Sequence, residues 1–102
     1  MNIIADLKIS ISIKAERLDI SEADLGQIIG GDINSESWSE NTVEKARMFL
    51  KVIRLIEKEC VDQEFPRRWI HARHRRFGMT PLEMMTTDKP NGLLKVKRYI
   101  ES

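Results

Sequence analysis

The sequence predicts an all-α protein, and three observations carry that reading. Apolar residues recur at three- and four-residue spacing in several separate stretches, the signature of helices with one buried face. Helix-start signals precede them, above all Thr80-Pro81-Leu82-Glu83, with an N-cap, a proline in the first turn and an acid at the third position. Only residues 7–13 alternate apolar with polar as a strand does, and no second such stretch offers a pairing partner.

Taken in order, Leu7, Ile9, Ile11 and Ile13 fit a strand, whereas Ile4, Leu7, Ile11, Ala15 and Leu18 fit a helix over a longer window. The longer match, unbroken by turn residues before Asp19, favours the helix. Ser21 is an N-cap for a second helix, with Glu22 and Asp24 in the turn where the helix dipole favours acids. Leu25, Ile28 and Ile29 form its apolar face and Gly30-Gly31 ends it. Residues 31–41 are polar around a single large anchor, Trp38. Asn41 with Glu44 reads as a capping box for the longest helix, in which Val43, Ala46, Leu50, Ile53 and Ile56 step towards Cys60, and Phe49 and Leu55 widen the buried stripe. Pro66 suits the first turn of a short helix through Trp69 and Ile70, extending towards Arg73. After Thr80 a short helix buries Leu82, Met84 and Met85. Lys89-Pro90-Asn91-Gly92 breaks the chain, and a last helix from about 92 to 101 presents Leu93, Val96 and Ile100.

A chain of 102 residues holds one domain, or two small subdomains sharing a core. The apolar fraction of 41% and six aromatics suffice for that core and speak against general disorder. No apolar run approaches the roughly 18–20 residues of a membrane span. The first residues, with Asp6 and no basic lead-in, do not read as a signal peptide. A single cysteine, Cys60, excludes an internal disulfide framework and a multi-cysteine zinc site, so the expectation is a cytoplasmic protein. The net charge of +1 conceals an asymmetry: residues 16–64 hold 12 acids and 6 bases, whereas residues 65–102 hold 9 bases and 3 acids. Opposite charge on two halves suggests two tasks or a self-complementary assembly.

Residues 18–30 resemble the first two helices of a helix-turn-helix, with Gly26 as the small residue where two helices meet. The third, reading helix would fall on residues 32–41 and offer Asn34, Ser35, Ser37 and Asn41 to bases. That stretch holds three acids and no base, which opposes contact with phosphates. Between Arg67 and Arg76 lie five arginines and both histidines, a density suited to phosphate, a nucleotide or an acidic protein surface. His71 and His74 have no neighbouring carboxylate or cysteine to complete a metal site. Cys60 ends an apolar stripe without a base partner and reads as a buried structural residue. With no nucleophile-elbow motif and no phosphate-cradling glycine loop, neither catalysis nor a cofactor is expected.

The order of motifs adds a family resemblance over residues 15–100. Ala15-x-x-Leu18-x-Ile20-Ser21 leads into Leu25-Gly26-x-Ile28-Ile29-Gly30; a long apolar helix follows, then Trp69-Ile70, Phe77-Gly78, Pro81-Leu82-Glu83 and Gly92-Leu93-x-x-Val96-x-x-Tyr99-Ile100. This set resembles the Xre/MbcA/ParS group of bacterial type II antitoxins, whose C-terminal domain is marked by Trp-Leu, Leu-Gly-x-x-Pro and Gly-x-x-x-Val. The resemblance implies a helix-turn-helix-like and dimerising region at residues 1–61 and a toxin-binding domain at 62–102. It implies a homodimer that neutralises a RES-domain, NAD-consuming toxin by covering its active-site cleft, with operator DNA as a further partner. Trp69, Gly78, Pro81, Gly92 and Val96 match the structural motif positions. Toxin contact is then expected from exposed neighbours: Arg73, Arg75, Arg76, Lys95, Arg98 and Tyr99. The alternative is a small helix-turn-helix transcriptional regulator with a dimerising C-terminal domain. A nucleotide or RNA binder acting through residues 67–76 ranks last, because its only stacking residues, Trp69 and Phe77, read as buried.

Overall fold

The protein is described by a computed structural model covering residues 3–58, 62–88 and 91–101. Among the described residues six helices follow one another: α1 (Ile3–Arg17), α2 (Glu22–Ile29), α3 (Glu40–Lys58), α4 (Phe65–His71), α5 (Pro81–Thr87) and α6 (Gly92–Glu101). The fold is all-α. The sole strand-like feature among the described residues is an isolated bridge between His74 and Met79.

The first segment is helical, as the longer spacing requires. Ile11 and Ala15 are buried, with Ile4 and Leu7 beside them, while Ile9 and Ile13 point outward, 61% and 47% exposed. Asp19 ends α1 at φ 57°, in the left-handed region where aspartate is among the few tolerated side chains. The Ile20 N–H then reaches back to the Ala15 carbonyl at 2.8 Å. Ser21 caps α2 by accepting from the Asp24 N–H, and Gly30 closes that helix at φ 70°.

A third helix at residues 32–41 does not form. Residues 31–39 are a loop, and Asn34, Ser35 and Ser37 lie in it instead of on a reading helix. Local side-chain bonds hold the loop in turns: the Asp32 carboxylate accepts from the Asn34 N–H, and the Ser35 hydroxyl donates to the Ser37 carbonyl. The buried Trp38 indole donates to the Asp32 carbonyl at 3.0 Å, and Lys8 of α1 lies 5.5 Å above its ring while donating to the Ser35 carbonyl. Asn41 stands in the first turn of α3 and does not cap it. That role falls to Ser39, whose hydroxyl accepts from the Thr42 N–H at 3.1 Å. Gly26 does not mark a helix–helix contact either: a Cβ there would stand 3.0 Å from the Gly31 carbonyl oxygen, at the end of its own helix.

Helix α3 is the centre. Ala46, Phe49, Val52 and Ile53 are fully buried, and α1, α2, α4 and α6 all lie against it. Helix α5 closes the far side against α2, α4 and α6. The boundary expected near residue 61 falls between α3 and α4, yet apolar residues from both sides, from Ile11 to Val96, form a single core cluster. Lys14 of α1 and Glu57 of α3 form a half-buried ion pair at 2.8 Å across that core's rim. Helix α4 ends at His71, short of Arg73. Cys60 and Lys89-Pro90, read as a core cysteine and a chain break, lie outside the described residues.

Helix α5 starts as its sequence predicts. The Thr80 hydroxyl accepts from the Glu83 N–H at 3.0 Å, the Glu83 carboxylate accepts from the Thr80 N–H at 3.1 Å, and Pro81 fills the first turn. Gly92 opens α6 against α5 so closely that a Cβ would lie 2.0 Å from the Met84 carbonyl oxygen.

Two stability measurements test this account. Gly92→Ala is expected to destabilise by about 3 kcal/mol, because backbone and not a flexible side chain must move. Thr80→Ala, which removes one half of the capping box, is expected to cost about 1 kcal/mol. Both are read by denaturant unfolding, and a Gly92→Ala protein as stable as the parent would contradict the described helix contact.

Candidate functional site

The best-defined surface feature arises where α4, the turn at residues 72–80 and α6 meet. The turn is closed by the His74 N–H donating to the Met79 carbonyl, and by the Phe77 and Gly78 N–H groups both donating to the His74 carbonyl. Gly78 takes φ 70°, a conformation in which L side chains are strained, although a Cβ there would meet no atom within 4 Å. Backbone conformation alone therefore selects glycine.

This turn places His74 and Phe77 beside Trp69 of α4 and Tyr99 of α6. Ring centroids lie 4.7 Å apart for Trp69–His74, 4.8 Å for Phe77–Tyr99 and 6.1 Å for Trp69–Tyr99. All four side chains are half-buried, neither enclosed in the core nor fully in water. The His74 Nε2–H donates to the Trp69 carbonyl at 3.1 Å, which ties the ring to α4. The Arg76 guanidinium lies over the Tyr99 ring at 5.6 Å, within range for a cation–π contact.

The arginine-rich segment divides by function. Arg68 is held by Asp62 at 2.6 Å, and Arg67 lies 3.7 Å from Asp19 and 3.8 Å from Glu64. Arg73 donates from Nε and Nη2 to the Gly78 carbonyl at 3.2 and 3.1 Å and so braces the turn. Arg75 is exposed and, among the described residues, has no carboxylate within 4 Å; Arg98 on α6 is the same. Lys95 is taken by Asp88 at 2.5 Å. Of the six residues expected to meet a partner, the structure brings Arg76 and Tyr99 into contact and leaves Arg75 and Arg98 available. It ties Arg73 and Lys95 to their own chain.

The motif residues have structural duties. Trp69 anchors the aromatic group, Pro81 starts α5, Gly92 allows the close approach of α6, and Val96 is wholly buried under it. Trp69 and Phe77, expected from the sequence to be buried, are instead half-buried members of this surface. His71 and His74 each direct Nε2 to a backbone carbonyl, of Leu18 at 2.7 Å and of Trp69 at 3.1 Å. A carbonyl can only accept, so both Nε2 atoms carry hydrogen and are engaged. Among the described residues no group of three or more histidine, cysteine or acidic residues is placed to hold a metal ion, and no helix is long and apolar enough to cross a membrane.

The chain matches no protein-family model, and no curated protein is significantly similar to it.

The Asp62 clamp at the start of α4 gives a pH-dependent signature. Its carboxylate is held below the ordinary aspartate range first by the Glu64 N–H it accepts and then by the Arg68 guanidinium. A depressed folded value means that the contribution is complete above the ordinary aspartate pKa and disappears as pH falls through the lowered one. Asp62→Asn is therefore expected to be less stable than the parent at neutral pH. The two unfolding midpoints should converge on acidification below that lowered value.

Proposed function

We propose that this protein is an antitoxin that silences an NAD-consuming, RES-domain toxin by covering its active-site cleft, in the cytoplasm and without a reaction of its own. The observation that carries the reading is the Arg76–Tyr99 contact within a half-exposed aromatic group, with Arg75 and Arg98 exposed and without an ion-pair partner among the described residues. Tyrosine, tryptophan and arginine dominate the energetics of protein interfaces, because each brings a large apolar area together with a polar group at low entropy cost. A cleft that binds NAD is shaped for anionic phosphates, and a guanidinium that fits phosphate geometry is suited to take their place.

The resemblance to the Xre/MbcA/ParS antitoxins supports the same reading. Its motif residues are those that shape the turn and seat α6 beneath this surface. Operator binding through residues 32–41 has no support, because Asn34, Ser35 and Ser37 sit in an internally bonded loop and Asn41 stands in the first turn of α3. The regulator reading ranks second for that reason.

The test is inhibition of the toxin's NAD consumption by titrated protein. Arg76→Glu combined with Tyr99→Ala is expected to raise the concentration for half-inhibition by about 100-fold or more, the range of a central interface pair, with the helical circular dichroism unchanged. Arg68→Glu, whose parent residue is engaged with Asp62, serves as the charge-matched control and should change inhibition by less than about threefold. Equal inhibition by the double variant and the parent would move the contact elsewhere. No inhibition by the parent at any ratio would dismiss the reading.

A further inference from the structure

Helix α1 has two apolar faces, and the fold uses one. Ile4, Leu7, Ile11 and Ala15 line the core side. Ile9 and Ile13, one turn apart on the opposite side, are 61% and 47% exposed, with the exposed Ala5 one turn before them. A helix serving a single core carries polar residues on its outer face. Two adjacent β-branched side chains in water mark an apolar stripe with something to gain from burial.

The charges flanking the stripe indicate what covers it. At 3.6 residues per turn, Asp6 and Arg17 fall on the same side of the Ile9–Ile13 line, one at each end of the helix. Neither has an ion-pair partner within 4 Å among the described residues. Two α1 helices laid antiparallel about a two-fold axis, the axis lying in their contact plane, place each flank against the same flank of the other copy, reversed. The register that sets Ile9 against Ile13 of the second copy then sets Asp6 against its Arg17, to within one residue, or about 1.5 Å of rise. Stripe and charges agree on one arrangement, and the helix dipoles oppose each other in it favourably.

We propose that a second copy of this chain docks on the Ile9–Ile13 face of α1, as an isologous antiparallel helix pair closed at both ends by Asp6–Arg17 ion pairs. The family resemblance implies a homodimer without indicating a face; the exposed stripe supplies the face and the charges supply the register. This surface and the Arg76–Tyr99 surface are on different helices, so either can fail without the other.

Sedimentation equilibrium of the full chain over about 1–200 µM, a range that resolves micromolar dissociation constants, is the measurement. The parent is expected to dimerise. Ile9→Glu with Ile13→Glu is expected to raise the dissociation constant by about 100-fold or more with unchanged circular dichroism, since four isoleucines leave the interface. Asp6→Arg and Arg17→Asp alone should each weaken the dimer by about tenfold, and together restore it to within about threefold of the parent. A parent that is monomeric throughout, or a glutamate variant that dimerises equally well, overturns the proposal. So does a double charge swap weaker than either single one, which excludes the antiparallel register. A monomeric parent whose glutamate variant loses binding to the toxin or to anionic vesicles also overturns it and assigns the stripe to that partner.

Discussion

The contact between Gly92 and the Met84 carbonyl determines where α6 begins, and the surface built on α6 depends on it. With no room for a Cβ, the first turn of α6 lies against the backbone of α5. Val96, one turn later, then enters the core, and Tyr99 emerges seven residues on, at the level of Trp69 and the 72–80 turn. A wider separation of α5 and α6 would carry Tyr99 away from Phe77, whose ring centroid is 4.8 Å distant, and would leave Arg76 without its aromatic partner. The constraint is steric and involves backbone atoms, so no rearrangement of side chains substitutes for it.

The charge asymmetry of the sequence is partly consumed within the molecule. Basic residues of the C-terminal region meet acids of the N-terminal region through Arg67 and Asp19, and through Arg68 and Asp62. These exposed pairs contribute little stability individually. Their larger effect is to engage Arg67 and Arg68, so that the positive charge of the segment left without an ion pair among the described residues gathers around Arg75 and Arg76. Arg73 is removed differently, by bonding to the Gly78 carbonyl of its own turn.

The sequence disclosed what is decided locally. The capping box at Thr80, the serine cap of α2, the Gly30 terminus and the stripe of α3 each follow from spacing within a few residues, and each is present. The choice of helix over strand for α1 was also legible, because five apolar positions at helical spacing outweigh four that alternate. The segment at 31–39 was not legible. Its polar residues satisfy one another in turns, and Trp38 is drawn into the fold by Lys8, some thirty residues earlier. That placement passes the cap of α3 from Asn41 to Ser39. The aromatic group was visible only in part. Trp69, His74, Phe77 and Tyr99 are spread over thirty-one residues, and nothing in their spacing shows that a turn and a terminal helix bring them together. Likewise, no sequence pattern separates an arginine that faces a partner from one that braces a loop.

The bond from His71 Nε2 to the Leu18 carbonyl ties α4 to the end of α1 across 53 residues of chain. A carbonyl can only accept, so the hydrogen of this contact sits on Nε2 and the ring is oriented by it. The first and fourth helices are thus stitched along one seam by a single side chain reaching a backbone acceptor far away in the sequence.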